Sequence, residues 1–328
     1  MSGRSAPALE AARQQLMEKL DNQGQVCVYE FERLRRTNSS ASLEAAELRT
    51  NETKNRYINV LPYDDNRVRL EGPSDYINAS LLESREGEVP RWRYIAAQGP
   101  VPGTVADFWQ MVMEQQCSVI LMLTRCIENR SVLKCAEYFP VKVEAVELYG
   151  DFSVRLDHVE EIDSDICKRC MTLQDNVSGE LRVIQHYHYH RWPDHGVPDS
   201  TAPLRRLAKE LQASHPTASG PPLVHCSAGI GRTGTLCAID IMLRRLRHLD
   251  PADMGGWHNA VNVKRIVLAL RKQRMGMVQT VDQYIFCHQA IKEELDEVLG
   301  RKASSETTAS VLRTSSLLAD RVPSAMRT

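Results

Sequence analysis

The sequence predicts an α/β fold from three kinds of segment. Short continuous apolar runs are typical of strands buried on both faces, and alternating apolar and polar residues are typical of strands with one solvated face. Segments with apolar residues at helical spacing lie between these strands in the chain, which is the mixture expected of an α/β architecture. The dense apolar pattern divides the 328 residues into an N-terminal helical flank at 1–50, a globular domain at 51–299 and a tail at 300–328.

Amphipathic patterns predict helices along the whole chain. In the flank, Leu9, Leu16 and Leu20 fall near one helical face. Thr104 precedes "VADFWQMVMEQQ" and is a candidate N-cap, since its hydroxyl can accept a backbone N–H. Thr280 and Gln283 form a capping-box pattern that opens the last helix. Two further helices are predicted at 233–249 and 259–274.

The strand predictions come from four segments. "CSVILMLT" at 117–124 and "PPLVHC" at 221–226 are short apolar runs, as expected of strands covered on both faces. In "FSVRLDHV" at 152–159 and "LRVIQHYHYH" at 181–190 apolar and polar residues alternate, as in strands with one solvated face.

Residues 301–328 contain ten Ser or Thr and few large apolar residues, so we predict that this tail is disordered.

The composition excludes several classes of protein. The chain is 42% hydrophobic and 25% charged with a net charge of −1, so no overall field favours nucleic acid. No apolar run approaches the roughly 20 residues that span a bilayer, and the N-terminus lacks an apolar signal-peptide core. An odd number of cysteines, nine, suits reduced thiols better than a disulfide framework. We therefore predict a cytoplasmic protein without nucleic-acid partners or a transmembrane segment.

The segment "LVHCSAGIGRTG" at 223–234 carries the strongest chemical signal. A predicted strand delivers Cys226, small flexible residues follow, and a helix begins near Arg232. Glycines let successive backbone N–H groups turn towards one centre, and a helix N-terminus adds its positive dipole. Such a loop binds phosphate and favours the thiolate of a cysteine beside it. Arg232 can donate two hydrogen bonds to phosphoryl oxygens, and Thr233 can offer a hydroxyl to Cys226.

The same segment also matches Gly-x-Gly-x-x-Gly from Gly229, the fingerprint of dinucleotide-binding folds. That fold needs an early strand–helix unit and an acidic residue about 20 positions further on. Here the motif lies late in the chain, and the following helix leads into "DPADMGGWHNA". The sequence therefore favours the cysteine-centred phosphate loop, with no nucleotide cofactor.

Two distant segments supply partners for a thiolate. Asp194 lies in "RWPDHGVPDS", a loop framed by Pro193 and Gly196 that can close over a site and act as a general acid. Taken alone, this segment would be an ordinary surface turn. Gln279, just before the last helix, has an amide that can orient a water molecule.

The chain resembles the phosphotyrosine-specific, cysteine-dependent protein tyrosine phosphatases over roughly residues 50–297. The matching segments, besides those above, are "KNRYINVLPYDDNRV", "DYINAS", "YIAAQGP", "DFWQMVMEQ" and "LKCAEYFP". The resemblance implies a highly twisted mixed β-sheet flanked by helices, a single catalytic domain at 51–299 of the non-receptor type, and no cofactor. It also implies phosphotyrosine-containing proteins as substrates, with the oligomeric state open and a monomer by default.

The resemblance assigns a role to individual residues of this chain. Cys226 is the nucleophile, Arg232 the phosphate clamp, Asp194 the acid and later base, and Gln279 the water-positioning amide. Thr233 assists breakdown of the phosphoenzyme, and His225 tunes the thiol. The phosphate and substrate would be bound by Ser227, Ala228, Gly229, Ile230, Gly231, Tyr57, Asn59 and Glu128. Tyr57 would form the wall of a pocket too deep for phosphoserine, and Glu128 would orient the arginine.

Some features depart from the family or suggest other functions. Asn59 stands where many members carry Asp, which leaves the peptide preference open. A pseudoenzyme that only binds phosphotyrosine is disfavoured because every reactive residue is present. A lipid or dual-specificity phosphatase is disfavoured because "SAGIG" has no lysine. "CKRC" at 167–170 and "HYHYH" at 186–190 could bind a metal, but we predict ordinary thiols and a half-exposed strand instead.

Overall fold

A computed structural model describes residues 6–35, 41–85, 88, 90–193, 196–214, 220–248 and 261–301. Its centre is a nine-stranded mixed sheet. In chain order the strands are β1 (Arg67–Arg69), β2 (Tyr76–Glu83), β3 (Arg93–Ala97), β4 (Val119–Met122), β7 (Val146–Tyr149), β8 (Phe152–Glu161), β9 (Ile166–Asp175), β10 (Leu181–Tyr189) and β11 (Leu223–His225). The order across the sheet is β1-β2-β3-β11-β4-β10-β9-β8-β7. A separate hairpin joins β5 (Ile127–Glu128) and β6 (Val132–Leu133).

The middle of the sheet is parallel and the two sides are antiparallel. β11 pairs in parallel with β3 and β4, and β4 pairs in parallel with β10. All four residues of β4 and all three of β11 are buried, because helices cover both faces. The predictions of buried strands at 117–124 and 221–226 are therefore confirmed, as is the mixed sheet flanked by helices.

Helices occupy both faces of the sheet. They are α1 (Ala6–Arg35), α2 (Glu44–Glu47), α3 (Val105–Glu114), α4 (Ala202–Ser214), α5 (Gly231–His248), α6 (Val263–Arg271) and α7 (Val281–Val298). On β4, Val119 and Leu121 belong to the core shared with α1 and α4–α7, whereas Ile120 and Met122 belong to the core shared with α3. Successive side chains of a strand point to opposite faces, so one short apolar run serves both cores.

The N-terminal helix packs on the last helix. α1 is kinked at Asp21–Gly24, where three residues have positive φ. Leu9, Leu16 and Leu20 are buried, as the helical spacing predicts. Tyr284 of α7 donates a hydrogen bond to Glu30 of α1 at 2.7 Å. The flank at 1–50 thus contains a helix that is part of the core.

Both predicted caps stand at helix starts. Thr280 and Gln283 make the capping box, with the Gln283 N–H 3.2 Å from the Thr280 hydroxyl. Thr104 is the N-cap of α3, but its hydroxyl contacts the backbone of Val101 rather than the helix.

Residues 302–328 lie outside the described part of the chain, so the predicted disorder of the tail stays a prediction. Within the described ranges, no helix combines the length and the apolar character needed to cross a membrane.

Candidate active site

Cys226 follows β11 at the carboxyl end of the parallel strands, and the loop after it turns into α5. Gly229 has φ of +71°, and a Cβ added there would lie 2.1 Å from the carbonyl oxygen of Ala97. Only glycine fits this position. The turn directs the Gly229 N–H at the Cys226 Sγ, 3.2 Å away. The segment predicted to form an anion-binding loop therefore points at least one backbone N–H, that of Gly229, at the thiol.

A buried arginine holds this loop from behind. Arg274 is fully buried and donates to the carbonyls of Gly229 (2.9 Å) and Ala228 (3.1 Å), and also to Ser80 (3.0 Å) and Asn78 (2.8 Å). Burial lowers the pKa of Arg274 to about 10, so the guanidinium is still charged at neutral pH. Because the loop carbonyls face Arg274, the backbone N–H groups of the loop are free to face the opposite side. Sequence analysis missed this residue, since "QRMG" has no pattern that distinguishes it from a surface cation.

Arg232 lies in the first turn of α5 and is oriented by a carboxylate. Its Nη1 is 2.5 Å from Oε1 of Glu128, and its Nη2 is 3.0 Å from Oε2. Nη1 also donates to the Leu123 carbonyl at 3.1 Å, and the guanidinium lies 5.7 Å from the centre of the Trp192 ring. Burial opposes ionisation of Glu128, but hydrogen bonding and charge from Arg232 outweigh it and lower the pKa of that carboxyl. The structure thus brings Glu128 to the residue that it was expected to orient.

A cavity of about 470 Å³ opens above Cys226. It is lined by Tyr57, Asn59, Val60, Glu128, Lys134, Trp192, Pro193, Gly196, Cys226, Ser227, Ala228, Gly231, Arg232, Gln279, Thr280 and Gln283. Residues separated by more than 200 positions in the chain therefore share one site. Lys134 and Gln283 were not predicted as site residues: Lys134 lies in the matched segment "LKCAEYFP" without an assigned role, and Gln283 was assigned only to the capping box of the last helix.

The aromatic side chain of Tyr57 borders this cavity and is fixed to the loop. Its hydroxyl lies 2.9 Å from the Ser227 hydroxyl. On the opposite side, Gln279 lies beside the start of α5: a Cβ added at Gly231 would be 3.0 Å from the Gln279 amide oxygen. The backbone N–H of Gln279 donates to Gln283 at 2.9 Å. Tyr57 and Gln279 thus both line the cavity that contains Cys226.

Asp194 and His195 lie outside the described residues, so the structure does not describe the side chain of the expected acid. Its neighbours Pro193 and Gly196 line the cavity. Trp192 is buried and its indole N–H donates to the Gly196 carbonyl at 3.2 Å. The described residues on either side of Asp194 and His195 therefore lie at the cavity, and the Trp192–Gly196 hydrogen bond joins them.

Two predicted residues lie behind the loop rather than in the cavity. His225 is fully buried; its Nδ1 lies 3.3 Å from the Cys226 carbonyl and its Nε2 lies 2.7 Å from the Tyr138 hydroxyl. Burial lowers the pKa of His225 to about 4, so the ring is neutral at pH 7. The Thr233 hydroxyl is buried and has no hydrogen-bond partner among the described residues. The expected bond from Thr233 to Cys226 is not formed in this state.

The two motifs that could have bound a metal, "CKRC" and "HYHYH", lie on or beside the neighbouring strands β9 and β10. Cys167 and Cys170 both lie on β9, three positions apart, so their side chains point to opposite faces of the strand. His186, His188 and His190 share one face of β10, with adjacent ring centres 6.2 and 5.8 Å apart. Over the described ranges, no group of three or more His, Cys, Asp or Glu side chains is arranged to hold a metal ion.

Comparison with known proteins agrees with this geometry. A family model described as protein-tyrosine phosphatase matches residues 51–293. The protein-tyrosine-phosphatase PTP1 of Arabidopsis thaliana is 39% identical over 254 residues, which cover 76% of this chain and 72% of that protein. Human receptor-type tyrosine-protein phosphatase C is 40% identical over 281 residues, which cover 84% of this chain and 20% of the receptor. The zebrafish (Danio rerio) receptor-type phosphatase F is 41% identical over 256 residues, 76% of this chain and 12% of that receptor.

The matched range, residues 51–293, includes every residue that lines the cavity. The matched regions span a fifth or less of the two receptor-type relatives. The chain belongs to the protein-tyrosine phosphatase family and is a hydrolase of that class.

Proposed function

We propose that this chain hydrolyses phosphotyrosine in proteins through a cysteinyl-phosphate intermediate, in the cytoplasm. The observation that carries the proposal is a single cavity lined by Cys226, by the loop and helix start that follow it, and by an arginine held by a carboxylate. Together these donors surround the place where the phosphoryl oxygens would lie. They supply positive charge that is already oriented, which is the main requirement for phosphoryl transfer.

In the first step the Cys226 thiolate attacks phosphorus and the bond from phosphorus to the tyrosine oxygen breaks. Asp194 gives its proton to that oxygen, so neutral tyrosine leaves. In the second step a water molecule held by the Gln279 amide attacks the cysteinyl phosphate. Asp194 takes the proton, the S–P bond breaks, and the thiolate and inorganic phosphate are regenerated. Arg232 and the loop N–H groups bind the equatorial oxygens in both steps.

The preference for tyrosine follows from the position of Tyr57. A phosphorylated phenol can pass between Tyr57 and Gln279 and still reach Cys226, whereas the shorter side chain of phosphoserine cannot. Asn59 lies at the rim of the same cavity and can accept a hydrogen bond from a substrate backbone N–H, without adding charge. We therefore expect weak dependence on basic residues beside the phosphotyrosine.

The experiment is to measure hydrolysis of phosphotyrosine, phosphoserine and phosphoinositide substrates in the presence of a chelator. Cys226→Ser should abolish phosphotyrosine hydrolysis, and Cys170→Ser on β9 is the matched control that should keep it. Asp194→Ala should lose turnover but still bind a phosphotyrosine peptide. Phosphotyrosine hydrolysis that survives Cys226→Ser would rule out the mechanism. Binding without turnover in the wild type would mean a pseudoenzyme, and preferred hydrolysis of the phosphoinositide would mean a lipid phosphatase.

A further inference from the structure

A cation lies directly across the sheet from one of the buried histidines. Arg169 of β9 is paired in register with His186 of β10. Its Nη1 is 3.5 Å from the Nδ1 of His186 and also 3.5 Å from the Nδ1 of His188. Its guanidinium carbon lies 4.5 Å from the centre of the Phe139 ring, which holds the side chain over the two imidazoles. The mechanism proposed above does not use Arg169.

The proton positions can be derived from the Cys226 end. The Cys226 carbonyl can only accept, so His225 donates to it from Nδ1. Since His225 is neutral, its Nε2 is an acceptor, and the Tyr138 hydroxyl 2.7 Å away must donate to it. That hydroxyl has one proton, so the Nε2 of His186, 2.8 Å away, must donate to the Tyr138 oxygen. The Nδ1 of His186 is then left without a proton.

The same assignment follows from the Arg169 end. A guanidinium can only donate, so the Nδ1 of His186 must accept from it and the proton of that ring must be on Nε2. Burial holds the pKa of His186 well below its usual value, so the ring has a single proton. Both ends therefore specify one direction of donation. It runs from Arg169 to His186, Tyr138, His225 and the Cys226 carbonyl.

A second branch leads from Arg169 to Thr124, a residue that also contacts Glu128 through its hydroxyl. The Nδ1 of His188 accepts from Arg169, and its Nε2 donates to the Thr124 carbonyl at 2.8 Å. The Thr124 hydroxyl donates to Oε1 of Glu128 at 2.9 Å, and the same oxygen accepts from Arg232. One guanidinium thus contacts both imidazoles: the path through His186 ends at the Cys226 carbonyl, and the path through His188 ends at the Thr124 carbonyl.

We propose that Arg169 is a positioning residue that polarises this hydrogen-bond chain and thereby stabilises the thiolate of Cys226. The inference rests on the proposed function, because it concerns the nucleophile assigned there. It extends that function to a cation outside the substrate cavity, on the far side of a buried tyrosine and two histidines.

The physical argument is cooperativity in a dry interior. Donation to one side of a neutral imidazole or hydroxyl makes its own proton a stronger donor, by about 10–30% per bond. Tyr138, His186 and His225 are fully buried, so water does not screen the effect. A cation at the start of the chain therefore increases the positive charge of the N–H that meets the Cys226 backbone. That charge favours the thiolate.

Other titratable groups also face this guanidinium. On its own strand the neighbour on the same face is Cys167, and on β10 the neighbours are His186 and His188. From the segments packed above it, Cys126 and Tyr138 interact with its charge. Two carboxylates also lie beside this cluster: Glu161 of β8, which is paired with Cys167 and hydrogen-bonds it, and Glu137, which acts on Cys126. Both are present in the wild type and in the Arg169 variants alike, so a difference between their profiles reports the guanidinium.

The test is the pH profile of the alkylation of Cys226 by iodoacetamide, followed by mass spectrometry of the modified peptide. Arg169→Met should slow the reaction about threefold at pH 6 and leave the rate at high pH unchanged. Arg169→Gln, which keeps a donor but no charge, should behave in the same way, and Arg169→Lys should lie between it and the wild type. Lys168→Met is the matched control, because it removes the adjacent charge from the opposite face of β9 and should leave the profile unchanged.

A double-mutant cycle distinguishes an effect transmitted along the hydrogen bonds from a direct effect of the Arg169 charge through space. Tyr138→Phe should slow alkylation by itself, and adding Arg169→Met should then change the rate little, because both act on one path. Profiles of Arg169→Met and Arg169→Gln that superimpose on the wild type would overturn the proposal. Effects that multiply in the double variant would also overturn it. Alkylation is measured without turnover, so these outcomes are distinct from failure of the proposed function, which Cys226→Ser tests.

Discussion

The carboxylate of Glu128 and the guanidinium of Arg232 meet with two parallel hydrogen bonds, 2.5 and 3.0 Å long. Glu128 comes from the β5–β6 hairpin and Arg232 from the first turn of α5, so the contact joins two elements 104 positions apart. A bidentate pair fixes the plane of the guanidinium as well as its position. The N–H groups of Arg232 that face the cavity are thereby oriented to donate hydrogen bonds to phosphoryl oxygens.

Replacing this carboxylate should reduce catalysis more than stability. In Glu128→Gln one of the two bonds to Arg232 is lost, and the arginine is no longer held in plane. We expect kcat/KM for a phosphotyrosine peptide to fall by about 10–100-fold, which corresponds to about 1.4–2.7 kcal/mol of transition-state stabilisation. Glu137→Gln, an exposed residue nearby, should leave kcat/KM unchanged. Equal activity of the Glu128 variant and the wild type would show that Arg232 needs no orienting partner.

Removing Arg274 should affect both the fold and the loop. Arg274→Met leaves two loop carbonyls and two buried polar side chains without their donor. The expected loss in free energy of unfolding is about 2–4 kcal/mol, measured by urea denaturation. The variant should also lose phosphotyrosine hydrolysis, because the loop N–H groups are no longer held inward. Arg93→Met, which removes a half-exposed arginine from β3, is the control and should cost under about 1 kcal/mol.

Gly229→Ala should inactivate the enzyme while the sheet remains folded. An alanine there would need a left-handed backbone and would bring Cβ within 2.1 Å of the Ala97 carbonyl, so the loop has to move. We expect at least about a 100-fold loss of kcat, because the N–H donors move with it. Gly103→Ala is the matched control, since φ there is ordinary and nothing lies within 4 Å of the added methyl. A Gly229 variant with half of the wild-type kcat would show that the loop tolerates this displacement.

Acid should destabilise the protein through its buried neutral histidines. Burial lowers the pKa of His288 to about 4 in the folded state, against about 6.5 in the unfolded chain. Below pH 6.5 the unfolded state binds the proton preferentially, so stability present at pH 7 is lost as pH falls from 6.5 towards 4. For His288 alone the expected loss by pH 5 is about 2 kcal/mol.

Urea unfolding at pH 7 and pH 5 measures this loss. His288→Asn replaces the ring by an amide that does not titrate and can still donate to the Tyr284 carbonyl. The difference in stability between the two pH values should therefore shrink by about 2 kcal/mol in this variant. His158→Asn on exposed β8 should leave the difference as in the wild type. A pH dependence that His288→Asn does not change would mean that this ring is already protonated or exposed in the native state.

The sequence alone was sufficient for the α/β class, the buried strands, the capping box of α7 and the loop at Cys226. These are local features: an apolar run of four residues, a Thr–Gln spacing of three, and glycines beside a cysteine and an arginine. Residues at such short separation interact whatever the rest of the chain does. Patterns of this kind could therefore be recognised before any contact was known.

The tertiary structure decided which distant residues meet, because those contacts depend on how helices and strands pack. Nothing in "QRMG" distinguishes Arg274 as the residue that binds the loop carbonyls on the side away from the thiol. Nothing in "CKRC" indicates that Arg169 faces His186 across a strand pair. The strand register also placed Cys167 and Cys170 on opposite faces, where a spacing rule suggested a pair. The sequence identified the reactive groups, and the fold determined which other groups hold them in place and set their charge.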